Sequence, residues 1–381
     1  MIAPITSAEK HYRLALLLVP GIGCARLKKL LAYFGSAQAV FTAAHQGNRL
    51  LPYKIAQAIA SGSNLDQAEK MLELHQAAGI QLLTTGEEDY PKRLLDLPDR
   101  PSILYYKGQT LLNQQRVVAI VGTRQLTSYG QASITKFLEQ LLPYQPLVVS
   151  GLAYGADIWA HKQALEMGLA TVAVLPTSVN EIYPTAHKKI AMEMCSSRGG
   201  LIAEYPIGSG LGAHTFVARN RILAGLADVT IVIEAKEKSG ALITAYYANN
   251  YHREVFALPG SIYSDTSAGC HRLIKRNQAH LLTHISDLAY IMNWEVHAPS
   301  QSNIYPNYPL TSSEQIILKQ FEQSVEPIAI DNLIDATALP TGEVQAALLS
   351  LELQGLLRAL PGKRFIVAPI YKRQVGVNIV D

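Results

Sequence analysis

The sequence predicts an α/β protein built on a doubly wound, mostly parallel sheet, with a small all-α domain before it and a small helical domain ending in two strands after it. Two observations carry the central part. From about 80 to 292, short β-branched runs alternate with helical segments, the order expected of parallel strands joined by crossover helices. Several runs, such as VVAIV at 117–121, are apolar without alternation, as strands covered on both faces must be. Helical apolar spacing on either side of this region sets the flanking domains.

Taken in order, residues 8–34 give two helical stretches, LALLLV and ARLKKLLAYF, parted by Pro20, Gly21, Ile22 and Gly23. Proline and glycine break helix there and make a hairpin. A helical pattern over roughly 53–78 completes an N-terminal domain at 1–79. The domain at 80–294 follows, with strands expected at 80–84, 103–106, 117–121, 147–150, 171–175, 201–204, 229–234 and 254–258. Pro299, Pro306 and Pro309 among Ser, Asn and Tyr give 295–311 the composition of a linker. The last domain, 312–381, reads as helices at 313–323, 330–336 and 341–354, then two strands about a Pro-Gly turn. That order resembles a winged helix.

The 381 residues are 49% hydrophobic and 17% charged, a globular balance unlike that of disordered chains or coiled coils. A formal charge of +3 is too small to mark a polyanion partner, so a nucleic-acid site must come from local clustering of Lys and Arg. Cys24, Cys195 and Cys270 lie far apart in no metal-ligand pattern, which argues against a structural zinc or a disulfide framework. No metal or cofactor is expected. The apolar runs fall far short of the roughly 18–20 residues of a membrane span, and no basic-then-apolar leader opens the chain, so a soluble cytoplasmic protein is expected.

Four strand-to-helix junctions carry the chemistry. In VVAIVGTRQLTSYG (117–130), a buried strand runs into Gly122, Thr123 and Arg124 ahead of a helix near Ser128. Glycine lets backbone approach an oxyanion, the free amides of the next helix point at it, and Arg124 adds a charged donor, so phosphate is the expected ligand. The pattern is neither GxGxxG nor a Walker loop, and a tight turn without ligand has the same spacing. VVSGLAYGAD (148–157) repeats the arrangement through Ser150, Gly151 and Gly155, with Asp157 read as a helix N-cap in preference to a catalytic acid.

In HTFVARNRILAG (214–225), Phe216 precedes Arg219, Asn220 and Arg221 at the start of a helical run. An aromatic ring can stack on a base while guanidinium groups hold phosphates, although core packing and a solvated face account for the same residue types. KSGALITA (238–245) opens a helix at Ser239 and Gly240 beside Lys236 and Lys238, which offers a further amide cluster or ordinary capping. Ligands of open α/β sheets bind beyond the carboxyl ends of the strands, so these turns imply one shared crevice.

The succession VAIVGTR, VVSGLAYGAD, TVAVLP with IYP and His187, LIAEYPIG, FVARNRILAGLADVTIVIEA, KSGALITA and VFALPG resembles, in order and spacing, the DNA-processing protein A family (DprA, also called Smf) across roughly 85–285. The resemblance implies an extended Rossmann-like domain that binds single-stranded DNA without catalysis, forms a homodimer through that domain, and passes the strand to the RecA recombinase in natural transformation. On matching positions it implies DNA contact by Arg124, Phe216, Arg219, Ser239 and Gly240, with Gly122, Asn220, Arg221 and Lys238 beside them. Ala156, Ala203, Val217 and His252 stand where the family commonly has Ile, Ser, Pro and Gly.

The outer modules are read more plainly. LVPGIGCARLKKLL (18–31) is similar to a helix-hairpin-helix with Arg26, Lys28 and Lys29 at hand for a nucleic-acid backbone, but a packing hairpin in a sterile-alpha-motif-like domain is preferred. TGEVQAALLSLELQ (341–354) contains no Lys or Arg, so a duplex contact by this helix is expected to be weak or absent. The competing class is a nucleotide-binding hydrolase of the LOG phosphoribohydrolase type using Glu234, Glu204 or Asp157. KSGALITA lacks that group's PGGxGT pattern with its following Glu, and His280 and His284 lack the adjacent Glu of a zinc helix.

Overall fold

The computed structural model describes residues 5–47, 50–295, 310–322, 327–354, 356–360 and 362–367. They form two compact units, one reaching to 295 and the other starting at 310. The first opens with α1 (Ser7–Leu17), α2 (Cys24–Phe34), α3 (Ala37–His45), α4 (Tyr53–Ala60) and α5 (Ser63–Ala77). Thr6 and Ser36 cap α1 and α3 by accepting the amides of Glu9 and Ala39, and the Glu9 carboxylate accepts the Ala37 amide at 2.9 Å. The helix pattern expected over 53–78 is broken at Gly62, whose left-handed φ of 73° ends one helix and starts the next at little steric cost.

The rest of this unit runs β1 (Gln81–Thr84), α6 (Lys92–Leu95), β2 (Ile103–Gly108), β3 (Val117–Val121), α7 (Ser128–Leu141), β4 (Leu147–Ser150), α8 (Ala156–Glu166), β5 (Thr171–Leu175), α9 (Lys188–Ser196), β6 (Gly199–Ala203), α10 (Ala213–Leu226), β7 (Val229–Val232), α11 (Gly240–Asn250), β8 (Glu254–Ala257), α12 (Ala268–Lys275), β9 (His280–Leu281) and α13 (Ile285–Ile291). The strands make one sheet in the order β1-β2-β6-β5-β4-β3-β7-β8-β9. Every neighbour from β6 to β9 is parallel, and β2 is antiparallel to both β1 and β6. The sheet is therefore mostly parallel and doubly wound, with an antiparallel margin.

Unbroken apolar runs are what this layering needs. Val117, Ala119 and Val121 of β3 face a layer that includes Ile222 and Leu223 of α10 and Leu242 of α11. Val118 and Ile120 face the opposite layer, with Phe137 of α7 and Ala160 of α8. Toward β5, β6 and β2, that second face is covered by α9 and the N-terminal helices, where Leu14, Leu16 and Ile59 share a core with Ile103, Tyr105, Leu175 and Leu201. His75 of α5 stacks on Tyr105 at 4.6 Å and receives the Ile207 amide at 3.1 Å; burial lowers its proton affinity, consistent with an acceptor role. Among the described residues no helix is long and apolar enough to cross a membrane.

The second unit contains α14 (Ser312–Glu322), β10 (Ile328–Ala329), α15 (Ile330–Thr337), α16 (Thr341–Leu353), β11 (Leu357–Leu360) and β12 (Arg364–Val367). Its strands pair antiparallel in the order β10-β12-β11 over a core that includes Ile317, Phe321, Leu333, Val344 and Leu348. This is a winged-helix arrangement. The linker expected at 295–311 falls almost wholly on 296–309, outside the described residues.

The β2–β6 margin depends on glycine. A Cβ on Gly200 would stand 2.6 Å from the Tyr106 ring, which is buried and donates its hydroxyl to the Thr110 carbonyl at 2.6 Å. Gly200→Ala is expected to lower the unfolding free energy in urea by about 1–3 kcal/mol, the usual cost of overpacking; a variant as stable as the parent contradicts this packing.

Candidate nucleic-acid interface

Strand order reverses at β3. The chain moves from β3 through β4, β5 and β6 on one side and returns with β7 on the other, and at such a switch a crevice opens beyond the carboxyl ends of the strands. A crevice of about 440 Å³ is found there. Eight of the nine expected site residues line it: Gly122, Arg124, Phe216, Arg219, Asn220, Lys238, Ser239 and Gly240; Arg221 does not.

The turns are held by local contacts that explain their residue types. A Cβ on Gly122 would lie 2.7 Å from Ala156 Cβ and 3.3 Å from the Glu234 carbonyl, so only glycine lets the β3 turn pass α8. Gly155 has φ 77°, and a Cβ there would overlap the Thr123 carbonyl, which itself accepts the Ala156 amide at 3.1 Å. Glu234, at the end of β7, is buried and accepts the Thr127 amide at 3.0 Å and hydroxyl at 2.6 Å. Thr127 in turn caps α7 through the Gly130 amide, so one carboxylate ties the β7 end to the β3 turn. Ser239 caps α11 by accepting the Ala241 amide, and Asn220 bridges α10 to the Gly240 carbonyl at 3.4 Å.

The arginines part company. Arg124 is exposed, its guanidinium 5.6 Å from the Phe216 ring centre, a cation–π distance. Arg219 was expected to hold phosphate, but it sits within α10, not at its start, and is 6% exposed. It donates to the carbonyls of Gly151, at 2.7 Å, and Val174. Asp157 is the opposite charge that bears on it without a direct salt bridge: burial holds the Asp157 carboxyl above its usual range although Arg219 pulls it down, and burial lowers the Arg219 proton affinity while Asp157 raises it. Asp157 is also not the N-cap of α8, a place held by Gly155; it lies in the first turn and accepts the Ala153 amide at 3.3 Å. Beneath them, burial with the charges of His187 and Arg219 drives His161 down to about 3. Arg221 turns to another face and binds Glu204 at 2.6 Å.

The spacing Thr215, Arg219, Ile222, Leu223 and Leu226 marks the buried stripe of α10, and that helical periodicity is the sequence signal for the Arg219 position. The exposed Lys236 joins Lys238 at the crevice. A larger hollow of about 980 Å³ near α1 and α2 is lined by Glu9 and Asp99 together with Arg13, Lys28, Arg100 and Arg221, with Arg13 paired to Glu9 and Arg221 to Glu204; none of the glycine-bearing turns at the carboxyl ends of β3, β4 and β7 reaches it. His284 caps α13 and His280 pairs with Glu254. Among the described residues no group of three His, Cys, Asp or Glu could hold a metal ion.

The crevice thus presents exposed cations, helix-start amides and one aromatic ring at the switch point of a doubly wound sheet, the features of an α/β protein that takes anionic, base-bearing ligands. Family models agree with this class: one described as DNA recombination-mediator protein A matches residues 81–293, and one described as DprA winged helix domain matches 305–363. The chain belongs to the DNA recombination-mediator protein A family. It is 33% identical to Protein Smf of Synechocystis sp. over 95% of this chain and 99% of that protein, and 34% identical to Protein Smf of Escherichia coli over 74% and 76%. Among solved structures, DNA processing protein A of Streptococcus pneumoniae superposes with a TM-score of 0.64 at 31% identity, over 77% of this chain and 100% of the other. DNA processing protein A of Helicobacter pylori gives 0.51 at 32% identity, over 57% and 97%.

Asp157→Asn keeps the shape of the side chain but leaves Arg219 buried without a counter-charge. Unfolding in urea is expected to show a loss of about 1–3 kcal/mol, against less than about 0.5 kcal/mol for the exposed Arg124→Ala. Equal effects would contradict the division between a buried brace and an exposed contact.

Proposed function

We propose that this chain binds single-stranded DNA without catalysis in the crevice between the β3 and β7 turns and delivers the strand to the RecA recombinase, in support of natural transformation and recombination in the cytoplasm. One observation carries the reading: exposed Arg124, Lys236 and Lys238 converge with the start of α11 around Phe216. Phosphates meet charge and amide there, and a base meets the ring. The H. pylori relative, whose structure concerns its single-stranded DNA binding mode, supports the same assignment. Arg219 then acts as a positioning residue for the Gly151 turn rather than as a phosphate ligand.

A hydrolase needs an acid at its ligand. Glu234 is held by Thr127 and Glu204 by Arg221, while Asp157 lines the crevice but is only 8% exposed, which favours binding over turnover. A homodimer through the Rossmann-like domain finds support in Ile262 and Tyr263 after β8 and Tyr246 on α11, which are 80%, 93% and 62% exposed and offer apolar area for a second copy. Strand binding is assigned to 80–294, whose sheet shares a core with the helices of 1–79, and not to 312–381; α16, without Lys or Arg, adds little affinity for duplex.

Fluorescence anisotropy with an oligothymidylate, run beside a nucleotide-turnover assay, tests the reading. Arg124→Ala and Phe216→Ala are each expected to weaken binding about tenfold. Arg124→Ala should also flatten the salt dependence by about 0.7 in log–log slope, the share of one phosphate contact on a single strand. Turnover by the parent that Glu234→Gln abolishes would establish the hydrolase instead.

A further inference from the structure

Two tyrosines of the quoted motifs, Tyr154 in VVSGLAYGAD and Tyr183 in IYP, stand on the same carboxyl edge as the crevice and have no role in the reading above. Tyr154 lies in the turn between β4 and α8, and Tyr183 in the segment between β5 and α9. They are 49% and 41% exposed, yet each is anchored by a ring contact on its inner side. Tyr183 meets Phe216 edge-to-face with centres 5.6 Å apart, and Tyr154 meets the buried His187 ring at 4.8 Å. His187 is itself fixed to the Leu152 carbonyl at 2.7 Å. Contacts therefore run from the Arg124 guanidinium to Phe216 to Tyr183, and the segment carrying Tyr183 continues through His187 to Tyr154.

Single exposed aromatics are common on protein surfaces and need no ligand. A connected set is different, because its rings are held in place before any partner arrives. Sheet order puts the turns that follow β4 and β5 on the side of β3 away from β7, and adjacent strands stand about 4.8 Å apart. The tyrosines thus continue the edge outward by about two strand spacings, toward the exposed Lys188 and Lys189 at the start of α9. Tyrosine supplies a flat face at low entropic cost, and every base has a matching face, so such a platform takes unpaired nucleobases with little regard to sequence.

We propose that Tyr154 and Tyr183 form a second base-stacking subsite, which leads a single strand out of the crevice across the ends of β4 and β5. The subsite rests on the single-strand reading above and extends it by naming where the strand leaves. Its ligand is the unpaired base, not the phosphate.

The test compares an oligothymidylate with an abasic strand of equal length and charge, on the full chain. Tyr154→Leu and Tyr183→Leu are each expected to cost about tenfold in oligothymidylate affinity, the loss of one base–aromatic stack, with the abasic affinity and the salt slope held, while Tyr154→Phe and Tyr183→Phe retain parental binding. Photocrosslinking of an iododeoxyuridine strand to the unmodified chain gives a readout that needs no variant to fold, and Tyr154 or Tyr183 should appear in the crosslinked peptides. If the parent binds both strands but the Leu variants match it, or if crosslinks map elsewhere, the subsite is overturned and the crevice reading stands. If the parent binds neither strand, the single-strand reading itself fails and the subsite with it.

Discussion

With β4 on one side of β3 and β7 on the other, the turns that leave β3 and β7 go to opposite faces of the sheet, and no connection fills the gap between their ends. That gap persists only if the two turns hold a fixed distance. Glu234 supplies the tie, because its buried carboxylate closes on both the amide and the hydroxyl of Thr127. Gly122 supplies the clearance, since any Cβ would collide with Ala156. The placement of the crevice's cations and helix-start amides follows from this frame: Arg124 projects from one turn and Lys236, Lys238 and the capped start of α11 from the other.

Charge is divided between structure and surface in a way the net value of +3 hides. Arg219 and Asp157 sit buried in the floor, with Arg219 feeding the carbonyls of Gly151 and Val174. Buried ions of this kind add little net stability compared with apolar groups, yet removing one of them strands the other, so their effect is to hold the β4 and β5 ends in register. Arg221 performs a comparable service elsewhere, clasping Glu204. Arg124 and the two lysines stay in solvent, where on the proposed reading they would replace the counterions of a bound strand.

Much of this was legible in the sequence, for identifiable reasons. Strands buried on both faces, such as Val117–Val121, announce themselves as unbroken apolar runs, and the glycine-bearing turns mark where the sheet's carboxyl edge must lie. Other features were not. β9 is two exposed residues, His280 and Leu281, with no pattern to read. α3, at Ala37–His45, is nine residues whose second cap, the Glu9 carboxylate, comes from 28 residues earlier in the chain and depends on the fold. The antiparallel sense of β2 follows from its pairing with β6 nearly a hundred residues later, which no local signal encodes. Arginine type alone also does not tell the two placements apart: Arg219 and Arg221 are two apart on one helix, and that spacing turns one into the core and the other to Glu204.

The account turns on the crevice being the place where a strand is held. A crystal structure of the chain with a short oligothymidylate addresses this most directly. It should place a phosphate within hydrogen-bonding distance of Arg124 and another near the Ser239–Gly240 amides, with a base against Phe216 and Arg219 still bound to Gly151. A strand lying along α2 or the winged helix, with the crevice closed to it, would contradict the account.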